Sequence, residues 1–246
     1  MTIDDAARLR ALHVPGAPLV LPNAWDAASA RAVRAAGFPA VATSSAAVAR
    51  ALGYDDGHQT PAGEMMAAVA RIARVLDVPL TADVERGYGL KPAELAERLA
   101  EAGAAGCNLE DSVPERGELV DPGEQAEFLA EVRAAAGDAL VINARIDVYL
   151  FGGSSGEEAV ARGRRYLEAG ADCVYPIGLG DEDGIRAFVA EVGGPVNIYC
   201  GPGAPGPARL AELGVARISF GSSLHEASQT HTRGLLAAVR EGRNPF

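Results

Sequence analysis

The segment TADVERGYG, beginning at Thr81, places Asp83, Glu85 and Arg86 where an apolar run gives way to two glycines. A second apolar run ends in Glu110 and Asp111, and a third, INARID, carries Asn143, Arg145 and Asp147. Carboxylates brought to one point repel each other unless a cation or a shared proton lies between them. Hard oxygen donors at that density suit Mg²⁺, with Mn²⁺ as the alternative, because such cations keep several waters and accept substrate oxygens. The competing reading is that the acids pair with Arg86, Arg116 or Arg145, or sit at the start of the following helix. Spacing alone leaves both open. Arg145 also has two readings, a buried ion pair or a bidentate clamp for a substrate carboxylate, and the clamp is favoured. Ser44 and Ser45 precede AAVARAL, an N-cap position whose backbone N–H groups also suit a carboxylate or enolate oxygen.

Other chemistries lack their residues. His13 and His58 read as exposed helix or loop positions, while His225 and His231 fall on the last helical stretch. No HExxH or HxH spacing links them, which disfavours zinc. There is no GxSxG elbow, and no cysteine stands at a helix start beside a histidine, so covalent hydrolase chemistry is disfavoured as well. Gly87 and Gly89 read as turn formers, since no GK[ST] follows GYG.

The elements that must position these residues alternate regularly. Apolar, β-branched runs begin at Leu19, Ala40, Leu80, Cys107, Val141, Cys173, Val196 and Arg217. Ala/Glu/Arg-rich helical stretches lie between them, several closing on a glycine. Strict alternation implies parallel strands covered on both faces. Eight such units in 246 residues fit an α/β, (β/α)8 TIM-type barrel, with a doubly wound sheet as the competitor. No linker or composition shift interrupts residues 1–246, which read as one barrel domain with a C-terminal helix from about Leu224. In a barrel the strand C-termini form the reaction face. Those ends carry Asn23, Trp25, Ser44, Ser45, Asp83, Glu85, Glu110, Arg145 and Tyr175.

Charge and composition narrow the partners. The net charge of −11 argues against nucleic acid and anionic membrane, both of which call for clustered Lys and Arg. The three cysteines, Cys107, Cys173 and Cys200, each lie in an apolar run without CxxC spacing, which suggests free thiols in a reducing cytoplasm. No apolar stretch reaches bilayer length, and MTIDDAARLR lacks a signal-type apolar region.

Five motifs in order, LPNAWDAASARAVRAAGF, ATSSAAVARALGYDDG, TADVERGYG, NLEDS and NARID, resemble the isocitrate lyase / phosphoenolpyruvate mutase superfamily. The likeness runs from about Leu19 to Ser223. It implies a barrel that binds Mg²⁺ at the strand ends and stabilises the enolate of a 2-oxo acid while a C–C or P–C bond is made or broken. By position, Asp83 is similar to the family's metal ligand, with Glu85 and Glu110 acting through water. Arg145 resembles the carboxylate clamp, and Ser44 with Ser45 the backbone site for a carboxylate or carbonyl. Trp25, Asp26, Tyr54 and Asp56 match the pocket floor and rim, and Asn143 and Tyr175 join them as substrate-binding candidates. The resemblance further implies a homodimer or homotetramer, with the last helix swapped between subunits.

The departure lies in the loop after the fourth strand, EDSVPERGELVDP, which has no cysteine, lysine or histidine. Family lyases carry a KKCGH-type segment there, and the mutases' Lys and Asn/Ser positions are missing too. Literal isocitrate lyase, methylisocitrate lyase and phosphoenolpyruvate mutase activities are therefore disfavoured. The expectation is a Mg²⁺-dependent lyase or decarboxylase for a small 2-oxo or 2-hydroxy carboxylate. Alternatives are a phosphonopyruvate-type P–C hydrolase or mutase, and a non-catalytic barrel that binds a carboxylate. Tyr54, Asp56 and Glu115 are the candidate bases for a retro-aldol step. The Pro, Gly and charges from Ser112 to about Val120 suggest a lid that orders over bound ligand.

Overall fold

The computed structural model describes residues 3–113, 116–151 and 156–246. Eight parallel strands form a closed circuit: β1 (Leu19–Leu21, continued by Asn23–Ala24), β2 (Val41–Thr43), β3 (Leu80–Asp83) and β4 (Gly106–Glu110), followed by β5 (Val141–Ile146), β6 (Cys173–Pro176), β7 (Asn197–Tyr199) and β8 (Arg217–Ser219). The first strand closes the circuit at Pro22. Leu19–Leu21 pairs with β8, while Asn23–Ala24 pairs with β2. Proline has no N–H to give to a ladder, and its carbonyl accepts from the Ala42 amide at 3.3 Å. β6 joins β7 through a parallel bridge between Val174 and Val196. All eight apolar runs of the sequence are strands of this TIM-type barrel.

The helices are α1 (Ile3–Ala11), α2 (Ala27–Ala35), α3 (Ser45–Leu52), α4 (Ala62–Ala73), α5 (Pro92–Ala102) and α6 (Pro122–Ala136), then α7 (Val148–Phe151), α8 (Gly156–Glu168), α9 (Glu182–Val192), α10 (Pro207–Glu212) and α11 (Ser223–Arg240). Local chemistry sets their ends. Asp26 and Ser29 form a capping box on α2, Ser44 caps α3, and Gly53 stops α3 at φ 91°. Met65, Leu95, Leu99, Leu129 and Phe188 from the helix ring pack on the outward faces of the strands. Burial on both faces is why the strands read as unbroken apolar runs.

A second cluster closes the N-terminal end of the barrel. Ala6 and Leu9 of α1 pack on Leu19, Leu21, Ala40, Ala42, Ala105 and Val141. His13, expected on an exposed position, is buried just after this helix, its Nδ1 2.8 Å from the Leu9 carbonyl oxygen. Burial and the nearby Arg217 charge push its pKa down to about 4.

Between β4 and α6, Ser112–Val113 pairs antiparallel with Glu118–Leu119. Part of the segment expected to act as a lid is thus a two-stranded ribbon, and Glu115 lies outside the described residues. α11 starts at Ser223 and leaves Leu224, Leu236 and Val239 exposed. Among the described residues no helix is long and apolar enough to cross a membrane.

Gly106 shows how tightly the plugged end is built. A Cβ there would meet the Val141 carbonyl oxygen at 2.9 Å and Leu9 Cδ2 at 2.9 Å. The strand backbone cannot retreat, so Gly106→Ala is expected to destabilise the fold by about 1–3 kcal/mol. Urea denaturation monitored by circular dichroism checks this; an unshifted midpoint would show that the plug yields.

Candidate active site

At the C-terminal ends of the strands lies a cavity of about 280 Å³. Ser44, Ser45, Asp56, Asp83, Arg145 and Tyr175 line it, together with Asn23, Asn108, Tyr199 and Ser219. A larger hollow of about 620 Å³ beside Arg34 and Asp77 is an open groove between helix ends, remote from every strand C-terminus.

Asp83 is held from the strand and helix beside it. Its backbone N–H donates to Thr43 Oγ1 at 2.8 Å. Its Oδ2 accepts from the Ser45 amide at 3.0 Å and the Ser45 hydroxyl at 2.8 Å. Ser44 meanwhile caps α3, so the two serines divide the helix start between a cap and a carboxylate grip. The other oxygen, Asp83 Oδ1, is buried with no hydrogen-bond partner among the described residues.

Glu110 repeats that arrangement on β4. Its Oε2 lies 2.7 Å from Arg145 Nη1, while Oε1 is buried without a partner among the described residues. Burial raises its pKa well above the usual range, with the Asp147, Asp83 and Glu85 charges adding to the rise and Arg145 opposing it. Glu85 sits just past β3 at φ 50°, a left-handed conformation rare for a side chain of its size. It accepts from Tyr88 Oη at 3.1 Å and from the His58 amide. Burial, followed by the Asp83 and Asp56 charges, raises its pKa to about 7.

Arg145 forms the ion pairs that its sequence context allowed. Its Nε and Nη2 donate to Asp147 at 2.7 and 2.9 Å, and Nη1 pairs with Glu110. A guanidinium has five N–H donors, so two remain on a side chain that lines the cavity. The ion pairs do not exhaust the guanidinium's donors.

Several expected residues lie elsewhere. Asp111 does not converge on the mouth. It is fully buried toward α8, accepting from Tyr166 Oη at 2.7 Å, Arg162 Nη1 at 3.1 Å and the Asp147 amide at 2.8 Å. Trp25 makes a T-shaped ring contact with His225, with centroids 5.1 Å apart, and is not part of the cavity wall. Asn143 is fully buried and donates to Asn108 Oδ1 at 2.9 Å instead of lining the cavity. Tyr54 donates to Glu64 at 2.6 Å and also stands outside the wall.

His58, expected in an exposed position, is instead part-buried beside the acids. Potential ligand atoms of His58, Glu85 and Glu110 all lie within 4.8 Å of one another. Its Nε2 accepts from the Arg86 amide at 3.0 Å, so that nitrogen already fastens the Glu85 turn. The oxygen donors suit a hard cation better: Asp83 Oδ1 and Glu110 Oε1 are the buried carboxylate oxygens without a hydrogen-bond partner among the described residues. A divalent cation fits this donor set. His58 and Asn108 were missed in the sequence, His58 because nothing local ties a loop histidine to a strand end.

A TIM-type barrel with buried acids and an arginine at its strand ends defines the class of protein. The phosphoenolpyruvate phosphomutase family matches residues 9–240, and the chain belongs to it, within the isocitrate lyase / phosphoenolpyruvate mutase superfamily. The chain is 43% identical to a Burkholderia cenocepacia protein of known structure, provisionally named a phosphonomutase, with TM-score 0.89 over 95% of this chain and 99% of that one. It is 37% identical to an uncharacterized Mycobacterium tuberculosis protein, over 94% of this chain and 86% of the other. A probable 2-methylisocitrate lyase of Corynebacterium glutamicum is 33% identical over 72% of this chain, which spans only 60% of that longer protein.

The raised Glu85 pKa has a stability consequence. The folded protein holds this proton more tightly than the unfolded chain, so the contribution is present below about pH 4.5 and is lost as pH rises through about 7. Glu85→Gln removes the titration. In chelator, its stability relative to the parent is expected to rise between pH 5 and pH 8 by up to about 3 kcal/mol. Thermal melts at both pH values check this, and parallel profiles would contradict it.

Proposed function

We propose that this chain is a divalent-cation-dependent lyase or decarboxylase acting on a small 2-oxo or 2-hydroxy carboxylate. The observation that carries the reading is the pair of orphaned buried oxygens, Asp83 Oδ1 and Glu110 Oε1, beside an arginine with donors to spare. Asp83, with Glu110 and Glu85, would hold the cation. When bound, the cation supplies an electron sink for charge developing beside a keto group.

The chain's own residues supply the rest. Arg145 presents two N–H groups, a match for a substrate carboxylate. Ser45 fixes one Asp83 oxygen and thereby aims the other. Tyr175 and Tyr199 wall the cavity. A volume of about 280 Å³ suits a small acid.

Proton supply separates the candidate reactions. Cys107 and Cys173 are fully buried and their thiols are pushed up to about 12, so neither substitutes for the family's loop cysteine. Decarboxylation of an oxaloacetate-like acid needs no base, only a proton delivered afterwards, which water can provide. Retro-aldol cleavage of a 2-hydroxy acid needs a base. Asp56 is the wall carboxylate available for it, its pKa raised by burial and by the Asp83 charge. We infer a homo-oligomer from the apolar positions that α11 leaves exposed.

Asp83→Ala is expected to abolish Mg²⁺ binding in calorimetry and to cut pyruvate formation from oxaloacetate by at least about 100-fold. Unchanged Mg²⁺ affinity would remove the cation assignment. Phosphate release from phosphonopyruvate without turnover of dicarboxylates would favour P–C chemistry. Oxalate binding indifferent to Mg²⁺, with no turnover of any 2-oxo acid tested, would mark a non-catalytic barrel.

A further inference from the structure

Beneath the cavity a polar chain crosses the barrel interior. Arg217, the first residue of β8, is 1% exposed, and its Nη2 donates to Asn108 Oδ1 on β4 at 3.1 Å. These strands stand on opposite sides of the eight-strand circuit. Asn143 Nδ2 donates to the same oxygen at 2.9 Å. Arg217 Nε and Nη1 have no hydrogen-bond partner among the described residues, and no carboxylate there pairs with the guanidinium. Burying a cation on such terms is costly, and burial lowers its pKa. A strut between strands would be served more cheaply by apolar packing.

The two ends of an asparagine amide differ only in what they bond, so its neighbours decide which end faces where. Arginine is a donor only. Arg217 therefore forces the Asn108 oxygen downward, and Asn143 reinforces that choice. The group left over is the Asn108 NH₂, on a side chain that is 7% exposed and lines the cavity. We propose that Asn108 is a specificity-determining donor on the cavity floor, held by Arg217 with its NH₂ toward the ligand, and that it binds a carboxylate oxygen of the substrate. Arg217 is a positioning residue that acts through Asn108. This inference rests on the carboxylate reading of the site and adds a second recognition point to Arg145.

The test uses oxalate in the presence of Mg²⁺, measured by calorimetry on the full chain. Asn108→Asp keeps the shape, gives Arg217 an ion-pair partner and replaces the donor facing the ligand by an anion. Its oxalate affinity is expected to fall about 10- to 100-fold while its melting temperature holds or rises, a combination that a structural role does not produce. Arg217→Met frees the amide to flip and is expected to weaken oxalate, whereas Arg217→Lys, still a donor, restores most of the affinity. In the parent protein, a side-chain amide resonance of an asparagine is expected to shift on oxalate saturation, whether or not any variant folds. Unchanged oxalate affinity in Asn108→Asp, or no asparagine amide shift in a parent that binds oxalate, overturns this inference and leaves the carboxylate reading standing. A parent that binds no oxalate overturns both.

Discussion

One guanidinium faces too many carboxylates at the mouth of this barrel. Arg145 serves Asp147 through two bonds and Glu110 through a third, while Asp83 is gripped separately by Ser45. Four acids, counting Glu85, thus share one buried positive charge where the effective dielectric is low. Such a cluster is neutralised by taking up protons or by taking up a cation. The raised pKa values of Glu85 and Glu110 express the first, and the unpartnered oxygens of Asp83 and Glu110 leave room for the second. The cluster's charge is left incomplete.

The surrounding structure keeps the acids from relaxing apart. Asp147 accepts from the Ser112 hydroxyl as well as from Arg145, and its amide donates to Asp111. Asp111 is in turn held by Arg162 and Tyr166, and Arg162 also reaches the Val120 carbonyl at 2.9 Å. Ser112, in the strand pair of Ser112–Val113 with Glu118–Leu119, is therefore wired to the arginine of the cavity through Asp147. On the other side, His58 and Tyr88 both fasten the Glu85 turn. Both also have positive φ, at 61° and 53°. Three such residues in one place are a backbone cost that hydrogen bonds must over-determine.

The barrel was legible because parallel strands buried on both faces announce themselves as apolar runs, and because Asp83, Arg145, Ser44, Ser45 and Tyr175 stand at their ends. Period two in a strand fixes which neighbours share a face. Glu110 and Asp111 are neighbours, so they must point to opposite faces, one toward the barrel interior and the other toward the helix ring. Asn108 lies two before Glu110 and shares its face, as Asn143 does with Arg145. Those asparagines belong to the layer under the mouth, which is why Asn143 is a floor support and Asn108 carries the floor. α1 gives little signal in the sequence because its packed face amounts to Ala6 and Leu9 in a short, charge-rich stretch. No pattern in the sequence could have placed His58, since its partner Glu85 lies 27 residues further on and meets it only through the loops above the strands.

The absence of the loop cysteine reassigns the proton, and the structure limits who inherits it. Cys107 and Cys173 hold their protons too tightly and lie in the barrel wall. Cys200 points its thiol at the Pro205 carbonyl, 3.5 Å away. Tyr175 faces the cavity but burial raises its pKa, so it donates a hydrogen bond more readily than a proton. Among the described residues of the wall, Asp56 is the carboxylate other than Asp83, and it feels the charges of both Asp83 and Arg145. On the proposed reading of the site, the reaction that needs no base is therefore the least demanding for this set of residues, and that is loss of carbon dioxide. Cleavage of a carbon–carbon bond beside a hydroxyl would rest on Asp56 alone.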